Sequence, residues 1–319
     1  MSTEGGNKAI VAALSANLGI GLTKFVAFAL TGASSMLAEA IHSVADSGNQ
    51  LLLLFGGKQA RKEEDTQHPF GYSRARYYYA FLVAVVLFSL GGLFALYEAW
   101  HKFQHPEPIE SWQWVPLVVL VVAIGLESFS LRTAVVESNK TRGSASWPAF
   151  VRKSRSPELP VILLEDLGAL LGLVFALFGV TMTLITHNGL WDAVGTTMIG
   201  VLLCVIAVVL GRETKSMLMG ESATPEDIVA IRAALAESEL GDVIHLRTMH
   251  LGPDDVLVAA KVAVPADFTA QQVADLVDGA EERIRAAVPA ARLIYLETDV
   301  RRAGGFVGEG DGIGQVAAQ

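Results

Sequence analysis

Ala38-Glu39-Ala40-Ile41-His42-Ser43-Val44-Ala45-Asp46-Ser47-Gly48-Asn49-Gln50 lies inside an apolar run that continues through Leu51-Leu52-Leu53-Leu54-Phe55. Residues three and four apart share one face of a helix. Glu39, His42, Asp46 and Asn49 are spaced by three, four and three, so they form one polar stripe on an otherwise apolar helix. Ionisable groups in a membrane helix are expensive and line cavities or ion paths. His42 and Asp46, at i and i+4, can offer a nitrogen and an oxygen to the same cation. Imidazole with carboxylate suits zinc and its transition-metal neighbours better than calcium or magnesium.

Outward from this stretch, the chain has the composition of a membrane protein with a soluble portion. Of 319 residues, 52% are hydrophobic and 18% charged. Six segments are long enough to cross a bilayer: about 9–30, 34–57, 77–100, 114–137, 159–186 and 190–211. The fifth exceeds a simple span, which puts its start at the membrane surface. The N-terminus lacks a basic leader region, so the first helix is expected to stay in the protein. Lys58, Arg61, Lys62, Arg74 and Arg76 follow the second span, and Lys140, Arg142, Arg152, Lys153 and Arg155 follow the fourth. By the positive-inside rule both termini are cytoplasmic. The expected place is a bacterial inner membrane.

The net charge of −9 falls largely on the last third, and the basic patch of a nucleic-acid binder is missing. The single cysteine, Cys204, excludes a disulfide framework and a thiolate zinc site. Residues 222–300 read as a separate domain in the order αββαβ, with helices at 225–237 and 268–288 and strands at 243–250, 256–264 and 292–297. Thr224-Pro225-Glu226-Asp227 starts its first helix. Residues 301–319 are Gly-rich and read as a disordered tail. The resulting organisation is a transport domain over 1–214, a cytoplasmic α+β domain over 222–300 and the tail. No P-loop is present to use ATP, and Glu39 and His42 do not form the HExxH of a metallohydrolase, so the chain reads as a non-enzyme.

These features together resemble the cation diffusion facilitator family of metal transporters over about residues 8–300. His42-xxx-Asp46 is similar to the family's zinc-type signature. His68-Pro69-Phe70-Gly71-Tyr72-Ser73-Arg74 is similar to its loop before the third span, and Asp192 to a recurrent acid at the start of the sixth. Glu127-Ser128-Phe129-Ser130-Leu131-Arg132 and Leu164-Glu165-Asp166 resemble the branch of zinc transporter 9. The resemblance implies a six-helix bundle with a ferredoxin-like cytoplasmic domain, assembled as a homodimer. It also implies export of a divalent metal, zinc first among them, in exchange for protons, with the metal as substrate and no cofactor.

The implied transport site joins the second and fifth spans: His42, Asp46 and Asp166, with Glu165, Asn49 or a water completing the shell. Ile162 stands where the family usually has a fifth-span histidine. Asp65 and His68 are two of the three residues of a secondary loop site, whose third position is Tyr72. In the C-terminal domain, the positions of some relatives' ligand histidines hold Ile244, Lys261 and Tyr295. Lys24 either snorkels or pairs with Glu39 or Glu98. The competing readings are a manganese, iron or cobalt transporter of the same family, and a membrane metal sensor.

Overall fold

The computed structural model describes residues 3–106, 109, 112–236 and 242–300, with backbone alone for residues 3–16 and Lys153. The expected tail at 301–319 and the end of the helix expected at 225–237 lie outside the described residues. The chain divides into two compact units, Met1–Lys215 and Ser216–Gln319.

The first unit is helical. α1 (Thr3–Thr31) and α2 (Ser34–Gln59) pack side by side across a two-residue break. Gly32 makes that break with a φ of +68°, a conformation that disfavours side chains, and its carbonyl accepts from Lys102 Nζ at 3.2 Å. α3 (Ala75–Val86), a π-helical segment (Leu87–Leu93) and α4 (Phe94–Gln104) run on as one helix, Ala75–Gln104. α5 (Trp114–Arg142) is followed by the short α6 (Trp147–Lys153), capped by the Ser146 hydroxyl, which accepts from the Ala149 N–H. α7 (Glu158–Thr186) and α8 (Leu190–Met219) complete the unit.

Among the described residues, four helices, Ala75–Gln104, α5, α7 and α8, are long and apolar enough to cross a membrane. α2 matches them in length, but Glu39, His42, Asp46 and Asn49 lower its hydropathy. In α1 the apolar stretch with described side chains is Asn17–Thr31. The core is built from small and branched residues: Ala27, Met36, Leu87, Leu120, Leu173, Val180, Ile199 and Leu203 are buried. The exterior is apolar too. Leu22, Phe55, Val122, Phe129, Ile185 and Val208 are exposed along the helices, an arrangement that suits lipid and not water. Helix backbones approach closely where glycines meet: a Cβ on Gly179 would lie 2.9 Å from the Trp191 carbonyl, and one on Gly195 2.8 Å from that of Phe175.

The second unit follows the expected element order. α9 (Pro225–Ala236) precedes an antiparallel hairpin of β1 (Val243–Gly252) and β2 (Asp255–Val264). α10 (Ala270–Ala287) then crosses over to β3 (Leu293–Val300), which pairs parallel to β2. The sheet order is β1-β2-β3. Alternation along β2 buries Val256, Val258, Ala260 and Val262 with Ile231, Leu235, Ala280 and Ile284 of the helices. Each such full burial of a large apolar side chain contributes about 1.5–3 kcal/mol. α10 opens on a capping box between Thr269 and Gln272.

Candidate metal-binding site

The stripe on α2 is buried: Glu39 and Asn49 are 0% exposed, His42 1%, and the Asp46 side chain 16%. Each member meets a different environment. Lys24 of α1 donates to Glu39 Oε2 at 3.0 Å and to the Ser43 hydroxyl at 2.8 Å, so the lysine pairs with Glu39 and does not snorkel. Gly172 of α7 makes room for that carboxylate, since a Cβ there would lie 2.6 Å from Glu39 Oε1. His42 Nδ1 stands 3.4 Å from Asp46 Oδ1, beyond a good hydrogen bond. Asn49 Nδ2 donates to Glu165 Oε1 of α7 at 2.6 Å.

Buried polar atoms are normally paired. Here Glu39 Oε1, both ring nitrogens of His42, Asp46 Oδ1 and Asn49 Oδ1 have no hydrogen-bond partner among the described residues. All of these except one ring nitrogen of a neutral imidazole are lone-pair donors of the kind a cation satisfies.

α7 supplies carboxylates in two directions. Glu165 turns to Asn49, whereas Asp166, about 100° further round the helix, accepts from Ser130 Oγ of α5 at 2.9 Å. α5 brings a further acid, half-buried Glu127, within electrostatic range of Asp46, Asp166 and His42. Asp46 in turn feels Asp166, Glu39 and Lys24. Five carboxylates thus surround one ammonium and one imidazole. Among the described residues, no three His, Cys, Asp or Glu side chains converge into a ready-made metal cluster. The donors are arrayed around a shared region and are not closed into a tetrahedron. Ile162, one turn before Asp166, packs beside Ala134, Phe150 and Leu163 in an apolar cluster.

Sequence reasoning missed Glu127 as a site residue. It assigned the motif around Glu127 to a branch resemblance, because a sequence shows which face of a helix is polar and not which helices meet. It also left the role of Asp192 open. Asp192 is fully buried in α8 and caps α2 from 158 residues away. Its Oδ2 accepts from the Ser34 N–H at 2.7 Å and hydroxyl at 3.0 Å; its Oδ1 accepts from the Ser35 hydroxyl at 2.5 Å and N–H at 3.4 Å. The carboxylate satisfies orphan donors of the first turn and complements the helix dipole.

The Asp65–His68 pair forms a closed turn. Asp65 Oδ1 accepts from the backbone N–H groups of Gln67 (2.9 Å) and His68 (2.7 Å), and Oδ2 accepts from the Tyr72 hydroxyl at 2.6 Å. These bonds, that from Tyr72 foremost, hold the Asp65 carboxyl down at about 2 and push the Tyr72 phenol up. The imidazole of His68 stacks on Tyr72 with ring centroids 4.3 Å apart. Both carboxylate oxygens are occupied, so this geometry serves as a loop staple.

In the second unit, Lys261 of β2 reaches Glu297 at 2.9 Å and Asp299 at 3.3 Å across the strand pair, and these bonds raise its ammonium above the usual lysine range. His250 is buried with Nδ1 3.1 Å from the Gly252 carbonyl, a structural contact.

The profile of the cation efflux transmembrane domain matches residues 10–219. The proton-coupled zinc antiporter SLC30A9 of Xenopus laevis, a mitochondrial protein, is 30% identical over 285 residues, covering 87% of this chain and 51% of the relative. Its Homo sapiens counterpart is 34% identical over 242 residues, 75% of this chain and 42% of the relative. Metal tolerance protein C4 of Arabidopsis thaliana is 25% identical over 269 residues, 83% of this chain and 58% of the relative. The chain therefore spans about half the length of these relatives. The match over residues 10–219, which takes in the helical unit and its buried polar stripe, shows that the chain belongs to the cation efflux family.

Proposed function

We propose that this chain exports zinc across its membrane in exchange for protons, with His42, Asp46 and Asp166 as the first metal ligands and Glu165, Glu127 and Asn49 around them. The observation that carries the reading is the charge imbalance: five carboxylates, one ammonium and one imidazole, with orphaned acceptor atoms, inside an apolar bundle. Such a site must be neutralised by cations. A divalent metal does this in one step, and protons on the same atoms do it when the metal leaves. One group of atoms serving two kinds of cation is the basis of exchange. The SLC30A9 relatives, proton-coupled zinc antiporters, support zinc and proton coupling.

The oxygen-rich composition of the site supports manganese as the second reading, since Asp46, Glu127, Glu165 and Asp166, the four acids left once Glu39 pairs with Lys24, share a single imidazole. The basic loops after α2 and α5 support an orientation with both termini on the cytoplasmic side. A homodimer is the proposed assembly, supported by the sheet face that carries Tyr295, which is 55% exposed.

The test is flux in proteoliposomes with an imposed pH gradient. Zinc, manganese, cobalt and iron(II) are offered in turn. Uphill zinc movement that collapses with the gradient is expected. Passive flux indifferent to pH would defeat the antiport reading, and manganese outpacing zinc would establish the second one.

A further inference from the structure

A cavity of about 750 Å³ opens at one end of the bundle among α5, α6, α7 and α8. None of its lining residues belongs to α2, and its walls have two characters. One wall is apolar, with Leu131 of α5 and Leu163, Leu164 and Leu167 of α7. The rim is charged, with Arg152 of α6 and Arg212 and Glu213 of α8. Glu213 feels the charge of both guanidinium groups, so the rim carries a net single positive charge.

Three further observations define what fits. The size is that of a site for a small amphiphile. The walls continue into an exterior that is itself apolar: Leu167, Val209 and Trp147 are each 37% exposed. The cavity also lies at the end of the helices that carries the basic loops. Trp147 opens α6 with the Arg142 guanidinium 4.3 Å from its ring centroid, an aromatic and basic pairing of the membrane interface. α6 therefore roofs the cavity at headgroup level.

We propose that this cavity binds an anionic phospholipid, with an acyl chain along Leu131, Leu164 and Leu167 and the headgroup phosphate at Arg152 and Arg212. Guanidinium groups recognise phosphate through paired donors. Charge complementarity selects the class, because a zwitterionic headgroup brings no net charge to a positive rim. Glu213 moderates the attraction and sets how strongly the site discriminates.

The test uses the full-length protein in detergent, with lipid retention read by native mass spectrometry. Dioleoyl phosphatidylglycerol and dioleoyl phosphatidylcholine are supplied at equal concentration. One basic side chain near an anionic surface is worth about a five-fold preference, so retention of the glycerol lipid is expected to exceed the choline lipid by about that factor. Arg152→Gln/Arg212→Gln should erase the preference, and Glu213→Gln should increase it several-fold. Leu167→Trp, which fills the cavity from its exposed wall, should reduce retention of both lipids. Quenching of Trp147 by a brominated acyl chain, with the other four tryptophans replaced by phenylalanine, locates the chain independently of retention. Equal retention of both lipids, or retention unchanged in both the arginine and Leu167→Trp variants, overturns the proposal. So does an intersubunit cross-link through position 167 in a lipid-free dimer, which would make a second copy the occupant.

Discussion

Asp46 and Asp166 approach the same region from different helices, and each brings a carboxylate the other cannot replace. Asp46→Ala and Asp166→Ala are expected to reduce proteoliposome flux by at least about a hundred-fold, since losing a residue that merely orients a ligand already costs about ten- to hundred-fold. The folded state should survive, as judged by gel filtration, and full flux in either variant would remove that residue from the site. Lys24 and Glu39 behave differently, being a buried pair at 1% and 0% exposure. Removing one partner leaves an uncompensated charge and costs about 3–5 kcal/mol, whereas removing both together costs much less. Thermal unfolding of Lys24→Met, Glu39→Gln and the double variant tests this: a double variant no more stable than the worse single would deny the pairing. At this scale the sequence was informative where one helix holds both partners. His42 and Asp46 were legible from their spacing, and so was the stripe. Glu127 beside Asp46, and Asn49 bonded to Glu165 across 116 residues, depend on how helices meet, and local periodicity carries no record of that.

Among the elements, most boundaries were readable from hydropathy, caps and turns. α2 starts at Ser34, where the expected span starts, α10 starts two residues inside the expected 268–288, and the αββαβ order of the second unit follows from alternation and glycine turns. The π-helical segment at Leu87–Leu93 was not readable, because an extra residue in a helical turn leaves the apolar pattern almost unchanged. Its glycines have a packing reason: a Cβ on Gly92 would lie 2.5 Å from Cys204 Sγ and 3.1 Å from the Cys204 N. Gly92→Ala should therefore destabilise the bundle by about 1–3 kcal/mol through overpacking. Cys204→Ala should recover only part of this, because the backbone contact persists. A neutral Gly92→Ala in detergent thermal melts would mean that α8 yields more readily than its close packing suggests.

For the whole molecule, the two units lend themselves to separate tests. Single cysteines at positions 105 and 145, in a Cys204→Ser background, should be labelled from opposite sides of the membrane. Labelling from the same side would break the six-span topology. A fragment covering residues 216–300 should be a dimer after treatment with a chelator, because Lys261, at one of the positions where some relatives have a ligand histidine, is already engaged by Glu297 and Asp299 and leaves association no metal to depend on. A fragment that is monomeric until zinc is added would contradict this. The Lys261 ammonium is raised in the folded state, so its contribution is fully present below the ordinary lysine value of about 10.4 and is lost as pH rises through the raised value. The melting temperatures of the parent fragment and Lys261→Met should accordingly differ at neutral pH and converge in strong alkali.

The four bonds from Asp192 have a mechanical consequence. They fasten one end of α2 to α8, so a rigid α2 behaves as a lever whose fulcrum is at Ser34. With about 1.5 Å of rise per residue, His42 rides roughly 12 Å along the arm and Asn49 roughly 22 Å. Any tilt carries Asn49 nearly twice as far as His42, so the Asn49–Glu165 bond is strained before the surroundings of His42 are. Spin-label pairs between α2 and α7, placed near and far from Ser34, should report displacements in that proportion on adding metal. In Asp192→Ala the proportion should vanish, because the arm would slide as well as swing.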